Sequence, residues 1–348
     1  MRRFILAAAA IVFAAGAMKT IPAPPAPAGG LTPTALDRLG RLPGGLAALP
    51  PPSFPTTPAR LAKVRLGHDL FFDTRLSIDQ SLSCATCHSP QHAFADGRRL
   101  PAGFRGKTLR RHSPTVLNAA YTVAQFWDGR ASGIEAQATM PIMSNDEMNM
   151  GTEDLVVSRL EEDARYAAQF RQIYGGRPNL KLIGDAIAAF EQTLVTPDSP
   201  FDRYARGERT ALHDQQKRGL ILFVGKAACS QCHTGPNFTD GAFHNLGVDP
   251  APDAPRDEGR YEVTKNPADR GAFKTPTLRN VALTAPYFHD GSLSTLEEVV
   301  DFYNRGGGAH PGKSDRIFQL ELTVDEKQDL VAFLRSLTGT LPQLAEKQ

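Results

Sequence analysis

The chain has 348 residues, and its 39 lysines and arginines nearly balance its 37 aspartates and glutamates, giving a formal net charge of +2. This balance, without any long basic run, excludes a nucleic-acid-binding protein that works through bulk charge. Hydrophobic residues make up 41% of the chain, which excludes wholesale disorder, and the length predicts two domains behind a leader.

Residues 1–20 have the pattern of a secretory signal peptide. Arg2 and Arg3 precede an apolar run over residues 4–17 that ends in small side chains, an order typical of export signals. An uncleaved anchor is the alternative, but the run is shorter than the ~20 residues that a membrane-spanning helix needs. The sequence therefore predicts an exported protein with no membrane span in the mature chain.

Residues 21–58 are rich in proline, alanine and glycine, and the density peaks at the prolines 50–52. Proline lacks a backbone donor and favours extended geometry, so this composition predicts a linker. An arm packed over the first domain is the alternative that the composition leaves open. Folded structure is predicted to begin where Thr57 can cap a helix that has Pro58 at its first position.

The predicted helices follow in chain order. The first covers residues 59–72, and its predicted inward side chains are Leu61, Val64 and Leu66. Apolar periodicity predicts further helical segments within residues 155–174, 183–194 and 212–224. Two more helices begin at the capping boxes Thr295 with Glu298 and Thr323 with Glu326. Alternating strands are almost absent, so the sequence predicts an all-α fold with long loops that need another body to pack on.

All four cysteines lie in two C-x-x-C-H pentads, and the cysteines and histidines concerned are Cys84, Cys87 and His88, then Cys229, Cys232 and His233. Two thiols at this spacing can add to the vinyl groups of one haem, and the adjoining histidine then binds the iron. A zinc half-site or a redox dithiol is the alternative for a single pentad. Because two pentads use every cysteine of an exported chain, we predict two covalently bound c-type haems.

Beyond the pentads, five longer blocks resemble the bacterial di-haem cytochrome c peroxidases, and within them the MauG-type enzymes. The blocks are LGHDLFFDTRLS (66–77), SPTVLN (113–118), QFWDGR (125–130), TPTLRN (275–280) and TAPYFHDG (284–291). The resemblance implies a periplasmic protein with two cytochrome c-like helical domains, one covalent haem in each. On this basis residues 59–200 form the N-terminal peroxidatic domain and residues 201–340 form the C-terminal haem domain.

The resemblance also implies the residues above the first haem, whose iron His88 would bind. Glu147 matches the general acid–base, and Gln137 and Pro141 match the lining of the same pocket. Such a group is needed to move a proton between the peroxide oxygens. On the residues alone, Glu147 would be interpreted as a solvated loop carboxylate.

Trp127 is the only tryptophan of the chain. An indole can be oxidised transiently, and the resemblance places its counterpart between the two haems as an electron relay. The structural interpretation is that this large aromatic side chain fills the domain interface. The relay role and the packing role are compatible.

Tyr303 distinguishes the subfamilies. By its spacing it is simply the last member of an apolar helix stripe. Ordinary di-haem peroxidases carry methionine at this position as the second axial ligand of the C-terminal haem, whereas MauG-type enzymes carry tyrosine. The resemblance therefore implies that His233 and Tyr303 both bind the second iron, and that an anionic oxygen ligand favours its higher oxidation states.

The resemblance further implies a calcium ion between the domains, bound partly by the backbone carbonyls of Thr284 and Pro286. The family's side-chain ligand is an asparagine, where this chain has His112. Neutral imidazole is a poor ligand for a hard cation, so His112 is expected to weaken this site. The remaining histidines are predicted to be structural or surface residues: His68, His92, His213, His244, His289 and His310.

The resemblance implies an oxidoreductase that uses hydrogen peroxide to form a high-valent di-haem state. This state would oxidise a tryptophan or tyrosine side chain of a partner protein as a post-translational modification. The alternative is a peroxidase that removes peroxide with electrons from a small cytochrome or cupredoxin. A pure electron carrier or haem sensor is a third class, which would need neither Glu147 nor an open haem face.

Overall fold

Helices dominate the computed structural model, which describes residues 31–248 and 256–343. The predicted signal peptide lies outside the described residues. Among them, no helix combines the length and the apolar composition that crossing a membrane requires. The strands are two residues long and form two antiparallel pairs, β1 (Ala124–Gln125) with β2 (Ala131–Ser132) and β3 (Phe243–His244) with β4 (Phe273–Lys274). The predicted all-α class is confirmed.

The described helices are α1 (Pro33–Asp37), α2 (Pro58–Phe71), α3 (Cys84–Cys87), α4 (Ile134–Met143), α5 (Glu153–Glu161), α6 (Ala164–Tyr174), α7 (Leu180–Glu191), α8 (Pro200–Ala205), α9 (Asp214–Val224), α10 (Tyr261–Thr264), α11 (Leu296–Asn304) and α12 (Val324–Arg335). The predicted capping boxes are confirmed, since Thr295 begins α11 and Thr323 begins α12 with the expected side-chain hydrogen bonds.

Helix α2 begins as predicted, because the Thr57 hydroxyl accepts a hydrogen bond from the Arg60 backbone N–H at 3.2 Å. Leu66 is fully buried, but Leu61 is 44% exposed, so the predicted inward position of Leu61 is wrong. The buried face of α2 is set by Leu66 and Leu70, which lie one turn apart. Leu61 points to a different side of the helix.

Each half of the chain is built on one pair of helices that crosses at a glycine. In the first half α2 crosses α7, where a Cβ on Gly67 would lie 1.8 Å from the Ala186 carbonyl oxygen. In the second half α9 crosses α12, where a Cβ on Gly219 would lie 2.0 Å from the Asp329 carbonyl oxygen. Only glycine permits such close backbone approach. The two helices with the glycines, α2 and α9, each lead towards one pentad.

A second repeat lies in the blocks at residues 113–118 and 275–280. The hydroxyls of Thr115 and Thr277 each donate to a backbone carbonyl of the segment that follows a pentad. The blocks end at Asn118 and Asn280, whose side-chain amides both donate to the Thr196 hydroxyl, at 2.8 and 2.6 Å. The halves therefore repeat one local design and are joined through Thr196.

Residues 32–50 form an ordered arm, which differs from the expected linker. Leu36 in α1 is completely buried. The Asp37 carboxylate accepts hydrogen bonds from the Tyr204 hydroxyl and the Lys217 ammonium, both at 2.8 Å, and the Thr234 hydroxyl donates to the Gly44 carbonyl at 2.7 Å. The arm thus packs on the second half, and at Pro50 it also contacts the first half, whose Tyr121 hydroxyl donates to the Pro50 carbonyl at 2.6 Å. The proline-rich composition of this segment did not indicate that its leucines are buried and anchor the arm.

Candidate functional site

A cavity of about 600 Å³ lies beside the second pentad. Cys229, Cys232 and His233 line one part of it, and Tyr303 and Trp127 line others. Neither cysteine is part of a disulfide bond. Cofactor sites have volumes of roughly 300–1,000 Å³, so this cavity can hold a group of haem size. The structure thus brings together distant residues that the sequence assigned to one site.

His233 is oriented for metal binding. Its Nδ1 lies 3.0 Å from the Phe238 carbonyl oxygen, which can only accept, so Nδ1 is the donor and Nε2 is left free. Burial lowers the pKa of His233, which keeps the imidazole in the neutral form that binds metals. A second-sphere bond of this kind fixes the tautomer and the ring direction of metal-binding histidines.

Tyr303 lies near the end of α11 and faces the same cavity. Burial raises the pKa of its phenol, and the nearby thiols of Cys229 and Cys232 add to this effect. The described residues give its hydroxyl no hydrogen bond. By contrast, five other tyrosine hydroxyls donate a hydrogen bond to a carboxylate or a backbone carbonyl. They belong to Tyr121, Tyr166, Tyr174, Tyr204 and Tyr287. The Tyr303 oxygen is therefore available to a group bound in the cavity.

The first pentad repeats the arrangement of the second. His88 Nδ1 lies 3.0 Å from the Pro114 carbonyl oxygen, so Nε2 is again left free. Burial lowers the pKa of His88. Cys84 and Cys87 are not part of a disulfide bond, and they form the first turn after Ser83. Both pentads therefore fit the attachment of a haem.

Glu147 lies close enough to the first pentad for its charge to act on both thiols. Burial raises the pKa of Cys84 and of Cys87, and the negative charge of Glu147 contributes to both shifts. Burial also raises the pKa of Glu147 itself. A carboxyl group with a raised pKa holds a proton more readily than an exposed one, which suits a general acid–base.

Two other predicted pocket residues lie on α4, before Glu147. Gln137 and Pro141 are one turn apart and share a helix face. Pro141 has no N–H, so the Gln137 carbonyl lacks its usual helical donor. The Met148 N–H donates to the Pro141 carbonyl at 3.1 Å and ties the Glu147 segment to this helix. Their roles as pocket residues stay predictions.

Trp127 lies where segments of the two halves meet. Its indole N–H donates to the His112 carbonyl at 2.8 Å, and its own carbonyl accepts from the Lys274 N–H at 2.8 Å. The ring of His289 approaches the indole edge-on with centroids 6.4 Å apart, and it stacks on Phe273 at 3.6 Å. The indole thus borders the cavity beside the buried ring of His289 and the half-buried ring of Phe273.

His289 was predicted to be structural or at the surface, and the structure agrees with the first of these alternatives. It is buried, and burial lowers its pKa to about 4, so the ring is neutral near pH 7. Its carbonyl accepts from the His112 N–H at 2.7 Å. No spacing in the sequence links His289 to Trp127, because the contact joins distant parts of the chain.

His112, Thr284 and Pro286 all line the cavity. The His112 Nδ1 lies 3.0 Å from the Arg98 carbonyl oxygen, and burial lowers the pKa of the ring. A neutral, hydrogen-bonded imidazole offers no oxygen to a hard cation. The His112 side chain therefore does not fit a calcium site, and the calcium ion stays a prediction.

A further group beside the second pentad was not predicted from the sequence. Potential ligand atoms of Cys232, Asp240 and His244 lie within 4.8 Å of one another. His244 Nε2 is 2.9 Å from an Asp240 carboxylate oxygen. A Cys232 sulfur that carries a haem is no longer a free thiolate ligand, so the group is best described as a histidine–aspartate pair at the edge of the cavity.

Comparison with known proteins gives one consistent result. A family profile described as di-haem cytochrome c peroxidase matches residues 61–210. The methylamine utilization protein MauG of Methylorubrum extorquens is 44% identical, over 84% of this chain and 84% of that protein. The cytochrome c551 peroxidase of Pseudomonas aeruginosa is 42% identical, over 80% of this chain and 79% of that protein.

The fold is similar to that of solved structures as well. A MauG-like protein associated with microbial copper homeostasis matches with a TM-score of 0.74 at 33% identity, covering 84% of this chain and 93% of that one. The likeness therefore extends over most of this chain and most of each relative.

Proposed function

Because the chain belongs to the di-haem cytochrome c peroxidase family, and so is a peroxide-dependent oxidoreductase that uses two haems, we propose that it oxidises a tryptophan or tyrosine side chain of a partner protein. We further propose that the leader exports it to the periplasm. The observation that carries the choice of substrate class is the Tyr303 hydroxyl, which faces the cavity without a hydrogen bond among the described residues.

The haems are proposed to be covalent, one in each of two domains. Cys84 and Cys87 would hold the first within residues 59–200, and Cys229 and Cys232 would hold the second within residues 201–340. The repeated helix crossings and the repeated histidine–carbonyl bonds support this division. When bound, the haems supply the two-electron reduction of peroxide to water and retain the oxidising equivalents.

The residues around the first pentad are proposed to handle protons. Glu147 would take a proton from one peroxide oxygen and return it to the other, which makes water a good leaving group. Its raised pKa and the effect of its charge on Cys84 and Cys87 support this role. Gln137 and Pro141 would shape the pocket from α4.

The residues around the second pentad are proposed to set the reduction potential of the second haem. His233 and Tyr303 would hold the iron of the second haem, and an oxygen donor favours higher oxidation states than a thioether does. Trp127 would pass electrons between the two sites. A detoxifying peroxidase supplied by a small cytochrome or cupredoxin is the second candidate, since relatives of both kinds are similarly close, at 44% and 42% identity.

One experiment separates these two functions. The holoprotein is given peroxide together with either a reduced small c-type cytochrome or periplasmic proteins from a strain that lacks this enzyme. We expect new oxidised tryptophan or tyrosine residues in one partner by mass spectrometry, and no sustained cytochrome oxidation. Rapid cytochrome oxidation without any modified partner would establish the second candidate instead.

A further inference from the structure

Lys274 is a half-buried cation that lines the cavity of the second pentad. It lies in β4, opposite Phe243 of β3. Burial alone lowers the pKa of its ammonium, with no charge or hydrogen bond offsetting it. Within residues 31–248 and 256–343, its side chain has no ion pair or hydrogen bond.

Three neighbouring arginines, one buried and two half-buried, each have a carboxylate or carbonyl partner among the described residues. Arg111 binds Asp128 and Asp257. Arg260 donates to the carbonyls of Asp128 and Gly129, and the completely buried Arg279 binds Asp202. Removing a cation from water is costly unless an anion compensates. Lys274 is therefore exceptional among its neighbours.

Neither acidic residue of the described cavity lining forms an ion pair with Lys274. These two residues are Asp257 and Asp290. Asp257 is bound by Arg110 and Arg111, and the Asp290 carboxylate accepts from the Ser292 N–H. The same lining carries Arg99 and Arg316, which donate to the backbone carbonyls of Asp290 and Gln231. Like Lys274, they have no ion pair among the described residues, and this predicts an anionic occupant.

We propose that Lys274 pairs with a carboxylate of the haem attached to Cys229 and Cys232. A haem carries two such carboxylates, so it supplies the anion that the cavity lacks. The inference rests on a haem in this cavity and not on which reductant the enzyme uses. It makes Lys274 a positioning residue, because its backbone N–H also donates to the Trp127 carbonyl at 2.8 Å. One residue thereby joins the cofactor to the tryptophan.

The pairing has a consequence for the second haem alone. A nearby cation stabilises the reduced form, which has one more negative charge, and so raises the potential. Lys274→Met should shift the midpoint potential of the Tyr303-ligated haem to lower values, measured by spectroelectrochemistry without any substrate. The potential of the first haem and the haem content should be unchanged.

Two variants control this test. Lys274→Arg keeps the charge and should hold the midpoint potential near that of the wild type. Lys181→Met removes an exposed cation from α7 and should shift neither haem. If Lys274→Met does not retain both haems, Lys274→Gln is measured in its place.

A Lys274→Met or Lys274→Gln protein that keeps the wild-type potential overturns the proposal. So does an equal shift in Lys274→Arg, which would indicate a packing role. Since no substrate is present, failure of the proposed protein oxidation would leave this measurement unaffected.

Discussion

The indole N–H of Trp127 donates to the backbone carbonyl of His112 at 2.8 Å. His112 lies two residues before Pro114, whose carbonyl receives the hydrogen bond from His88. The three-residue segment 112–114 therefore connects the proposed ligand of the first iron to the tryptophan through two hydrogen bonds and a short stretch of backbone. If Trp127 is the relay that we propose, this connection offers it a path that does not require direct contact between Trp127 and His88.

Replacing Trp127 tests this route. Trp127→Phe should slow oxidation of the partner protein by about tenfold or more, because phenylalanine is much harder to oxidise and the barrier rises accordingly. Reaction of peroxide at the first haem should persist, as followed by stopped-flow absorbance. The lost hydrogen bond should reduce the free energy of unfolding by only about 1 kcal/mol.

Tyr121→Phe is the matched control for Trp127→Phe. It also removes a hydrogen bond from an aromatic side chain to a backbone carbonyl, that of Pro50, without touching the proposed relay. Partner oxidation at the wild-type rate in Trp127→Phe would show that Trp127 serves only in packing.

Replacing Glu147 tests proton transfer at the first site. Glu147→Gln should slow the reaction with peroxide by roughly 10²–10⁴-fold, the usual contribution of a general acid–base. As a base the carboxylate must be ionised, and burial raises its pKa. The wild-type rate should therefore fall as the pH is lowered through this raised pKa, and the variant should lose that dependence.

Asp146→Asn is the control for Glu147→Gln. Asp146 is the neighbouring residue, but it is exposed and paired with Lys107. This variant should keep the wild-type rate and pH profile. If Glu147→Gln reacts with peroxide as fast as wild type does, the proton must move by another route.

Features set by neighbouring residues could be predicted from the sequence. The pentads, the Thr57 cap and the capping boxes all depend on residues within five positions of one another, and the structure contains them as expected. The cytochrome-like helices could be located because their apolar residues repeat along a single segment.

Features set by long-range packing could not be predicted. The arm over residues 32–50 depends on Leu36 and on the Asp37 bonds to helices far along the chain. His289 and Lys274 reach Trp127 through contacts between the two halves. Leu61 has the composition of a core residue, but the crossing of α2 and α7 leaves it exposed.

Glu191 predicts a pH dependence of stability. It is 3% exposed, one of its carboxylate oxygens has no hydrogen bond among the described residues, and burial raises its pKa from 4.5 to about 8. The folded state therefore holds this proton more tightly than the unfolded state does. The free energy of unfolding should decrease as the pH rises from about 4.5 to about 8, by about 5 kcal/mol at most.

Urea denaturation of the holoprotein across this pH range measures the effect. Glu191→Gln should lose most of this decrease. Its free energy of unfolding should therefore fall by less than that of the wild type between low pH and pH 8. The exposed Glu162 provides the control, and Glu162→Gln should keep the wild-type slope. Equal slopes in wild type and Glu191→Gln would show that Glu191 is not protonated in the folded state.

Two tyrosines of the same cavity allow a matched test of the second iron ligand. Tyr287 and Tyr303 both line the cavity, but the Tyr287 hydroxyl donates to the Val281 carbonyl at 2.9 Å, whereas that of Tyr303 is free of described partners. Tyr303→Phe should change the ferric spectrum of the second haem, because it removes the proposed oxygen ligand. Tyr287→Phe should leave that spectrum as in the wild type.

Tyr303→Met extends the test to function. A soft thioether in place of a hard oxygen stabilises the reduced iron, so the midpoint potential of the second haem should rise. The variant should be reduced more easily, should accept electrons from a small cytochrome, and should lose oxidation of the partner protein. Redox titration and mass spectrometry of the partner measure these effects. If both Tyr303 variants keep the wild-type ferric spectrum and potential, Tyr303 is the last residue of an apolar helix stripe and not a ligand, and the detoxifying peroxidase becomes the better description of the enzyme.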